Sequence, residues 1–157
     1  MEPSVIHLPY GNVHVLVERD GEPPWEETVH NKVTASGRNI LRDILLGIGG
    51  IPQWIALGTT NTAVLDTDVA LGNEYYRAAV TRRLSTSGKA TLKLHLTTAE
   101  ANGSTIQEIG CFVYASYTTA GSPLGGGQLF ARALVTPIEK TSSVQVTFTW
   151  EFPITSA

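Results

Sequence analysis

The chain has 157 residues and a mass of 16.9 kDa, which suits one domain and leaves too little for two of ordinary size. Charged residues make up only 16% of it, and the net charge is −3 with no run of one sign, so the basic stripe typical of nucleic-acid-binding modules is missing. With 19 Thr, 15 Gly and 8 Pro, the composition favours a β-rich domain over a coiled coil, a helical bundle or a disordered tail.

No segment predicts membrane insertion or secretion. The most apolar window, residues 40–51, is interrupted by Arg42, Asp43 and several glycines, and the N-terminus lacks a basic start followed by an apolar stretch. The single cysteine, Cys111, cannot form an internal disulfide, and its apolar flanks predict a buried structural residue. We therefore expect a chain that is made in a cytoplasm and does not contact a membrane.

The first predicted elements are strands. Residues 7–17 contain alternating valines, and residues 25–33 contain a second set of strand-forming residues. Asp20 and Gly21 suggest a hairpin between them, which the double proline at residues 23–24 lengthens. We predict that residues 1–30 form an N-terminal arm or hairpin that docks on an adjacent subunit, and that residues 31–157 form the main domain.

One short α-helix is predicted, at about residues 35–46. The apolar residues between positions 40 and 45 recur with helical spacing and form one stripe. Thr34 or Ser36 can cap the start of this helix, and Gly47 can end it. We expect the helix to pack on the edge or one face of a sheet.

The rest of the chain reads as short strands separated by turns. Residues 75–82 fit a helix or a strand equally well, and a Ser/Gly turn is predicted at residues 85–89. Strands are predicted at residues 53–58, 90–98, 106–117, 129–135 and 144–152. This pattern predicts a mainly β fold, an antiparallel β-sandwich with one short α-helix.

No catalytic, cofactor-binding or metal-binding residues are predicted. The four histidines, at positions 7, 14, 30 and 95, lack the close spacing of a metal site. Asp66 and Asp68 could bind calcium weakly, but turn-stabilising carboxylates explain them better, because a calcium loop needs six or more oxygens. Ser36 and Ser122 lack the strand–turn–helix context of a hydrolase serine, so we expect no enzyme activity.

Four charged residues lie in apolar surroundings. Glu74 or Glu108 is predicted to pair with Arg77 or Arg132, inside the fold or at a subunit interface, since buried charges are tolerated only when paired. The alternative is four ordinary surface charges. Five aromatic residues could form a platform for a carbohydrate, although core and interface roles explain them better: Trp25, Trp54, Tyr75, Tyr76 and Tyr117.

Several short motifs follow one another between residues 31 and 152. Residues 31–41 fit the pattern N-x-V-T-x-x-G-x-x-x-L. The later motifs are I-A-L-G at 55–58, L-G-N-E-Y-Y-R at 71–77, E-I-G-C-F at 108–112 and L-F-A-R at 129–132. In this order they resemble the tail-fibre and tail-tip type β-modules of tailed-bacteriophage virion proteins, which are also seen in related phage decoration proteins. Cys111 stands where that pattern usually has Leu, and the chain ends at Ala157 where a fibre would continue, which favours a small adaptor, tip or decoration subunit.

The resemblance implies a structural virion protein that docks in the tail, baseplate or fibre apparatus. Its partners would be other virion proteins and copies of itself, as a homo-oligomer such as a trimer, with a host surface receptor as a further candidate. One alternative is a capsid decoration or head-spike protein, and a second is a receptor- or carbohydrate-binding module. Strand edges that are left unpaired favour assembly independently, because a neighbouring subunit can cover them.

Overall fold

A computed structural model of the chain describes residues 11–114 and 125–154. This part of the chain forms strands and one helix. In chain order they are β1 (Asn12–Arg19), β2 (Trp25–His30), β3 (Lys32–Val33), α1 (Ala35–Leu45), β4 (Trp54–Gly58), β5 (Glu74–Ala79), β6 (Arg82–Thr86), β7 (Lys89–Leu96), β8 (Ser104–Val113), β9 (Gln128–Lys140) and β10 (Val144–Pro153).

The strands form two five-stranded antiparallel sheets. The first, which we call the β1 sheet, has the order β2-β1-β10-β7-β6, and the second, the β8 sheet, has the order β3-β9-β8-β4-β5. Their inner faces share one apolar core, to which both sheets contribute fully buried side chains such as Phe148 and Ile109. The predicted mainly β fold, an antiparallel sandwich with one short helix, is confirmed.

The sequence alternation predicted the inner face of the β1 sheet correctly. Leu92, Leu94 and Leu96 of β7 all point into the core, and Lys93 and His95 between them are half-buried. Trp150 of β10 is fully buried and stacks on Phe152, with 5.8 Å between ring centroids. Period-two alternation is the expected pattern of strands with one face in the core and the other facing solvent.

The outer face of the β8 sheet is covered as well. Residues 59–73, which we call the covering loop, connect β4 to β5 and bring Leu71 onto Phe112 and Leu129 in a second, smaller apolar cluster. As a result, β8 is buried on both faces over most of its length. This explains why its sequence reads as a nearly continuous apolar run.

Helix α1 follows the prediction closely. The Thr34 hydroxyl accepts a hydrogen bond from the Gly37 amide, which caps the start, and Gly47 follows the helix end with φ +69°. Ile40 is buried in the core, while Leu41 and Ile44 pack against it. The helix lies on β9 and β3 and contributes one side of the groove described below.

The predicted boundary at residue 30 does not separate an arm from the sandwich. Strand β1 lies between β2 and β10, in continuous register with both, and Val13, Val15 and Val17 are core residues. Their alternation predicted a strand, but not its pairing with β10, whose partner residues lie 125–139 positions later in the chain. Residues 1–10 lie outside the described residues.

Three further elements differ from the expectation or resolve it. Residues 74–79 form a strand, β5, because they pair with β4 at the edge of the β8 sheet. Strand β6 was not predicted, since its five residues are all exposed and carry no apolar alternation, and the turn after it is confined to Ser87 and Gly88. Strand β9 continues beyond residue 135, through Pro137, to Lys140.

Candidate functional site: an apolar groove beside helix α1

An apolar groove opens between helix α1 and the ends of strands β6, β7 and β10. Its volume is about 420 Å³, within the range of pockets that take small molecules or several side chains of a partner. Leu41 and Ile44 contribute from the helix, and Leu84, Leu92 and Phe152 contribute from the three strands. The groove is continuous with the core, because Phe152 also packs against core residues.

The lining of the groove can bind apolar groups and little else. Among the described residues that line it, Arg83 is the single charged one, and its guanidinium donates a hydrogen bond to Gln53 over 3.2 Å. No carboxylate, histidine or cysteine lines the groove in the described part of the chain. Binding here would therefore draw on burial of apolar surface, at roughly 25 cal/mol per Å².

Exposed apolar side chains occur at the end of helix α1 and in the groove lining. Leu45 and Ile48, at the end of helix α1 and just after it, are 83% and 74% exposed. Ile51 and Ile154, which line the groove, are also exposed. The exposed apolar residues of the groove lining form a patch of the kind that another molecule covers.

Strand β6 borders the groove with an unpaired edge. It pairs with β7 on one side and, among the described strands, has no neighbour on the other. An open strand edge presents backbone N–H and C=O groups that an extended segment can pair with. Apolar lining and an open edge therefore lie side by side.

The predicted charge pairs form away from the groove, on the outer face of the β8 sheet. The Arg132 guanidinium lies 2.7 Å from the Glu108 carboxylate, and both residues are buried. Glu108 also accepts hydrogen bonds from the amides of Gly72 and Asn73, at 3.1 and 3.0 Å. Arg132 in turn donates to Asp68, over 2.8 Å. This network joins the covering loop to the sheet.

Glu74 and Arg77 form the second predicted pair. The Arg77 guanidinium makes two hydrogen bonds of 2.7 Å to the Glu74 carboxylate, and its plane lies 3.9 Å from the centre of the Phe112 ring. Arg77 also donates to the Gly126 carbonyl over 3.0 Å, so it attaches a second loop to the same sheet face. The prediction that Glu74 or Glu108 pairs with Arg77 or Arg132 is confirmed inside the fold, where both glutamates are paired and each pair stabilises the structure.

The carboxylates of Asp66 and Asp68, in the covering loop, each form an ion pair with an arginine. Asp66 accepts two hydrogen bonds from Arg38 of helix α1, and Asp68 accepts from Arg132 and from the Leu65 amide. The arginine beside Asp66 holds the pKa of that carboxyl below its usual range. Within the described residues, no group of three or more His, Cys, Asp or Glu is placed to hold a metal ion.

Lys140 is a buried charge that the sequence did not reveal. Its ammonium donates to the Thr97 and Thr141 carbonyls and to the Asn102 side chain, over 2.8–3.1 Å, and burial lowers its pKa. Nearby, Glu100 accepts hydrogen bonds from the amide and hydroxyl of Thr97. These contacts fix the connection between β7 and β8.

The hydrogen-bonded carboxylate of Glu100 leads us to expect that the protein loses stability in acid. The hydrogen bonds from Thr97 hold the pKa of Glu100 below its ordinary 4.5, so its contribution is present above that value and disappears as the pH falls through the lower, folded-state value. We expect Glu100→Gln to lower the free energy of unfolding at pH 7 and to reduce its further decline below about pH 5. Urea unfolding across this pH range measures both effects. Glu22→Gln, in the exposed β1–β2 loop, controls for the change in net charge; an equal response would contradict the prediction.

The remaining residues singled out from the sequence are structural where the structure describes them. Cys111 is fully buried, and burial raises the pKa of its thiol. His14 and His95 lie on the outer face of the β1 sheet, bonded to Thr28 and Thr147. Of the candidate aromatic platform, Trp25, Tyr75 and Tyr76 pack against the main core and Trp54 packs against the smaller cluster. Tyr117 and Ser122 lie outside the described residues.

Comparisons with known proteins give no relative. No family model, no curated protein and no solved structure matches the chain. Among the described residues, no helix has both the length and the apolar character needed to cross a membrane.

Proposed function

We propose that the chain is a structural protein of a tailed phage or phage-like particle. It docks in the tail, baseplate or fibre apparatus through contacts with other virion proteins and with copies of itself, and it performs no catalysis. The observation that carries this proposal is the apolar groove beside helix α1 with the exposed apolar residues around it. A surface of this composition gains free energy when another protein covers it.

The distribution of charge supports the same role. The buried charges are engaged within the chain, since Glu108, Arg132, Glu74 and Arg77 hold loops against the β8 sheet. The motifs between residues 31 and 152 resemble those of phage virion modules, and this resemblance is the reason for proposing a phage or phage-like particle. Loops held to the sheet by buried ion pairs, a covered sheet face and an apolar groove together suit an assembly subunit.

Replacement of Leu84 by Asp tests this function. Leu84 lines the groove and is already 36% exposed, so an Asp there leaves the core intact and introduces a charge that docking would have to bury. We expect purified particles to contain far fewer copies of Leu84→Asp than of the wild-type chain. Quantitative mass spectrometry of the particles measures the copy number.

Val69→Asp is the matched control for that experiment. Val69 is 71% exposed on the covering loop and does not line the groove, so this variant carries the same added charge elsewhere. We expect it to incorporate normally, with both variants unfolding at the wild-type temperature. Normal incorporation of Leu84→Asp would contradict docking through the groove, and absence of the wild-type chain from particles would contradict the virion role.

The copy number also separates the two virion positions. A few copies per particle are expected for a tail, baseplate or fibre subunit, whereas a number comparable to that of the capsid protein would indicate a decoration or head-spike protein. Binding of the isolated chain to a glycan array would instead favour the receptor- or carbohydrate-binding alternative.

A further inference from the structure

We propose that the groove beside helix α1 binds residues 1–10 of a second copy of this chain. This inference rests on the docking role proposed for the groove and names its occupant. The groove would then join like subunits, and the N-terminal segment would be the part that each copy gives to its neighbour.

The segment starts at the same end of the fold as the groove. Strand β1 begins with Asn12 opposite Glu151 of β10, and Phe152, Pro153 and Ile154, which follow Glu151, line the groove. Gly11, the first described residue, therefore lies at the same end of the β1 sheet as the groove rim. Because the segment and the groove share one end, two copies that meet at this end can exchange segments reciprocally, as a symmetric interface requires.

The local chain direction favours a second copy over the chain's own groove. The backbone amide of Asn31 donates to the Gly11 carbonyl over 3.0 Å, so the chain still follows the direction of β1 at Gly11. Strands β10 and β7 lie between β1 and β6, so the open edge of β6 is about 19 Å from β1 at about 4.8 Å per strand. The three residues from Gly11 back to Leu8 span at most about 10 Å, so residues 4–8 cannot all pair with the β6 edge of their own chain. Ten extended residues reach up to about 35 Å, enough to span onto an adjoining copy.

The composition of the segment matches the groove. Residues 1–10 contain five apolar or aromatic side chains besides the prolines and a single acidic residue, Glu2, while the groove is apolar with a single charge of opposite sign, Arg83. Residues 4–8 contain no proline, so every backbone N–H there is available to pair with the open edge of β6. Prolines on both sides of that stretch reduce the conformational entropy lost on binding.

Disulfide trapping tests the occupant directly. Val5→Cys places a thiol in the segment, Ser85→Cys places one in the groove lining, and the native Cys111 is fully buried, so its background reaction is low. The two single variants are mixed, oxidised and run on a non-reducing gel. We expect a covalent dimer of the two variants, with loss of the corresponding monomers.

Glu18→Cys is the control partner for Val5→Cys. Glu18 is exposed at the other end of β1, opposite Gln145, so a segment held in the groove cannot reach it and no mixed dimer is expected. The double variant Val5→Cys/Ser85→Cys separates the two possible routes. Covalent oligomers support exchange between copies, whereas an internally cross-linked monomer overturns it and assigns the segment to its own groove.

Deletion of residues 2–10 provides the second measurement. We expect the truncated chain to lose its self-association in analytical ultracentrifugation while it keeps the unfolding temperature of the sandwich. An unchanged oligomer, or no mixed dimer in the trapping experiment, would overturn the proposed occupant. If Leu84→Asp still failed to enter particles in that case, the docking role of the groove would stand and its occupant would be another virion protein.

Discussion

Replacement of Glu108 by Ala is expected to lower the free energy of unfolding by about 3–5 kcal/mol, as measured when one member of a buried ion pair is removed. Glu108 is fully buried, and its carboxylate lies 2.7 Å from Arg132. Without it, the Arg132 charge stays buried with Asp68 as its remaining acidic partner. The amides of Gly72 and Asn73 also lose their acceptor, so the covering loop is released from the sheet.

The exposed pair of Arg38 and Asp66 provides the matched control. It is also held by two hydrogen bonds, of 2.7 and 2.8 Å, but both side chains are about half exposed, at 52% and 48%. Solvent screens such a pair, so we expect Asp66→Ala to leave the denaturation midpoint nearly unchanged. A loss for Glu108→Ala no larger than that of Asp66→Ala would contradict the prediction.

A double-mutant cycle with Arg132→Met isolates the contribution of the pair. Once Arg132 is replaced, Glu108→Ala no longer leaves an arginine charge buried, so the double variant should lose less stability than the two single variants add up to. The double variant should still be less stable than the wild type, because the backbone amides of Gly72 and Asn73 lack their acceptor. Guanidinium denaturation of the wild type, the two single variants and the double variant measures the four free energies of unfolding that the cycle needs.

The sequence predicted those parts of the fold whose apolar side chains recur with the period of a strand or of a helix. The face of β7 and the helix with its Thr34 cap follow from residues within one short segment. The apolar neighbours of the two glutamates and two arginines predicted that these charges pair, but not which glutamate pairs with which arginine. Charged residues surrounded by apolar ones were informative because burial of an unpaired charge is costly. Such local signals are available before any tertiary contact is known.

Features that depend on distant pairing were missed for the opposite reason. Strand β6 carries exposed polar side chains, so only its pairing with β7 makes it a strand. Lys140 looks like a surface lysine until its three oxygen partners come together from the β7–β8 connection and the end of β9. The groove draws its lining from segments between residues 33 and 154, so no stretch of sequence displays it.

Helix α1 connects the stability of the fold to the groove, because it packs on β9 at the end that carries Gly37. A Cβ atom added at Gly37 would overlap the Phe130 carbonyl oxygen, and it would lie 2.9 Å from the Phe130 carbonyl carbon. This carbonyl also accepts the Thr34 amide, so it is held in place just before the helix begins. Neither backbone segment can yield without moving the helix as a whole.

We therefore expect Gly37→Ala to lower the free energy of unfolding by about 1–3 kcal/mol, the usual cost of overpacking a well-packed contact, although alanine is the better helix former. Asn39→Ala, on the exposed side of the same helix, is the matched control and should leave the stability nearly unchanged. Because the displaced helix also carries Leu41 and Ile44 of the groove lining, Gly37→Ala should weaken incorporation into particles, as Leu84→Asp does. Urea unfolding and the copy number per particle, measured on the same preparations, test both effects. A stability equal to that of Asn39→Ala would show that the helix does not need this close contact with β9.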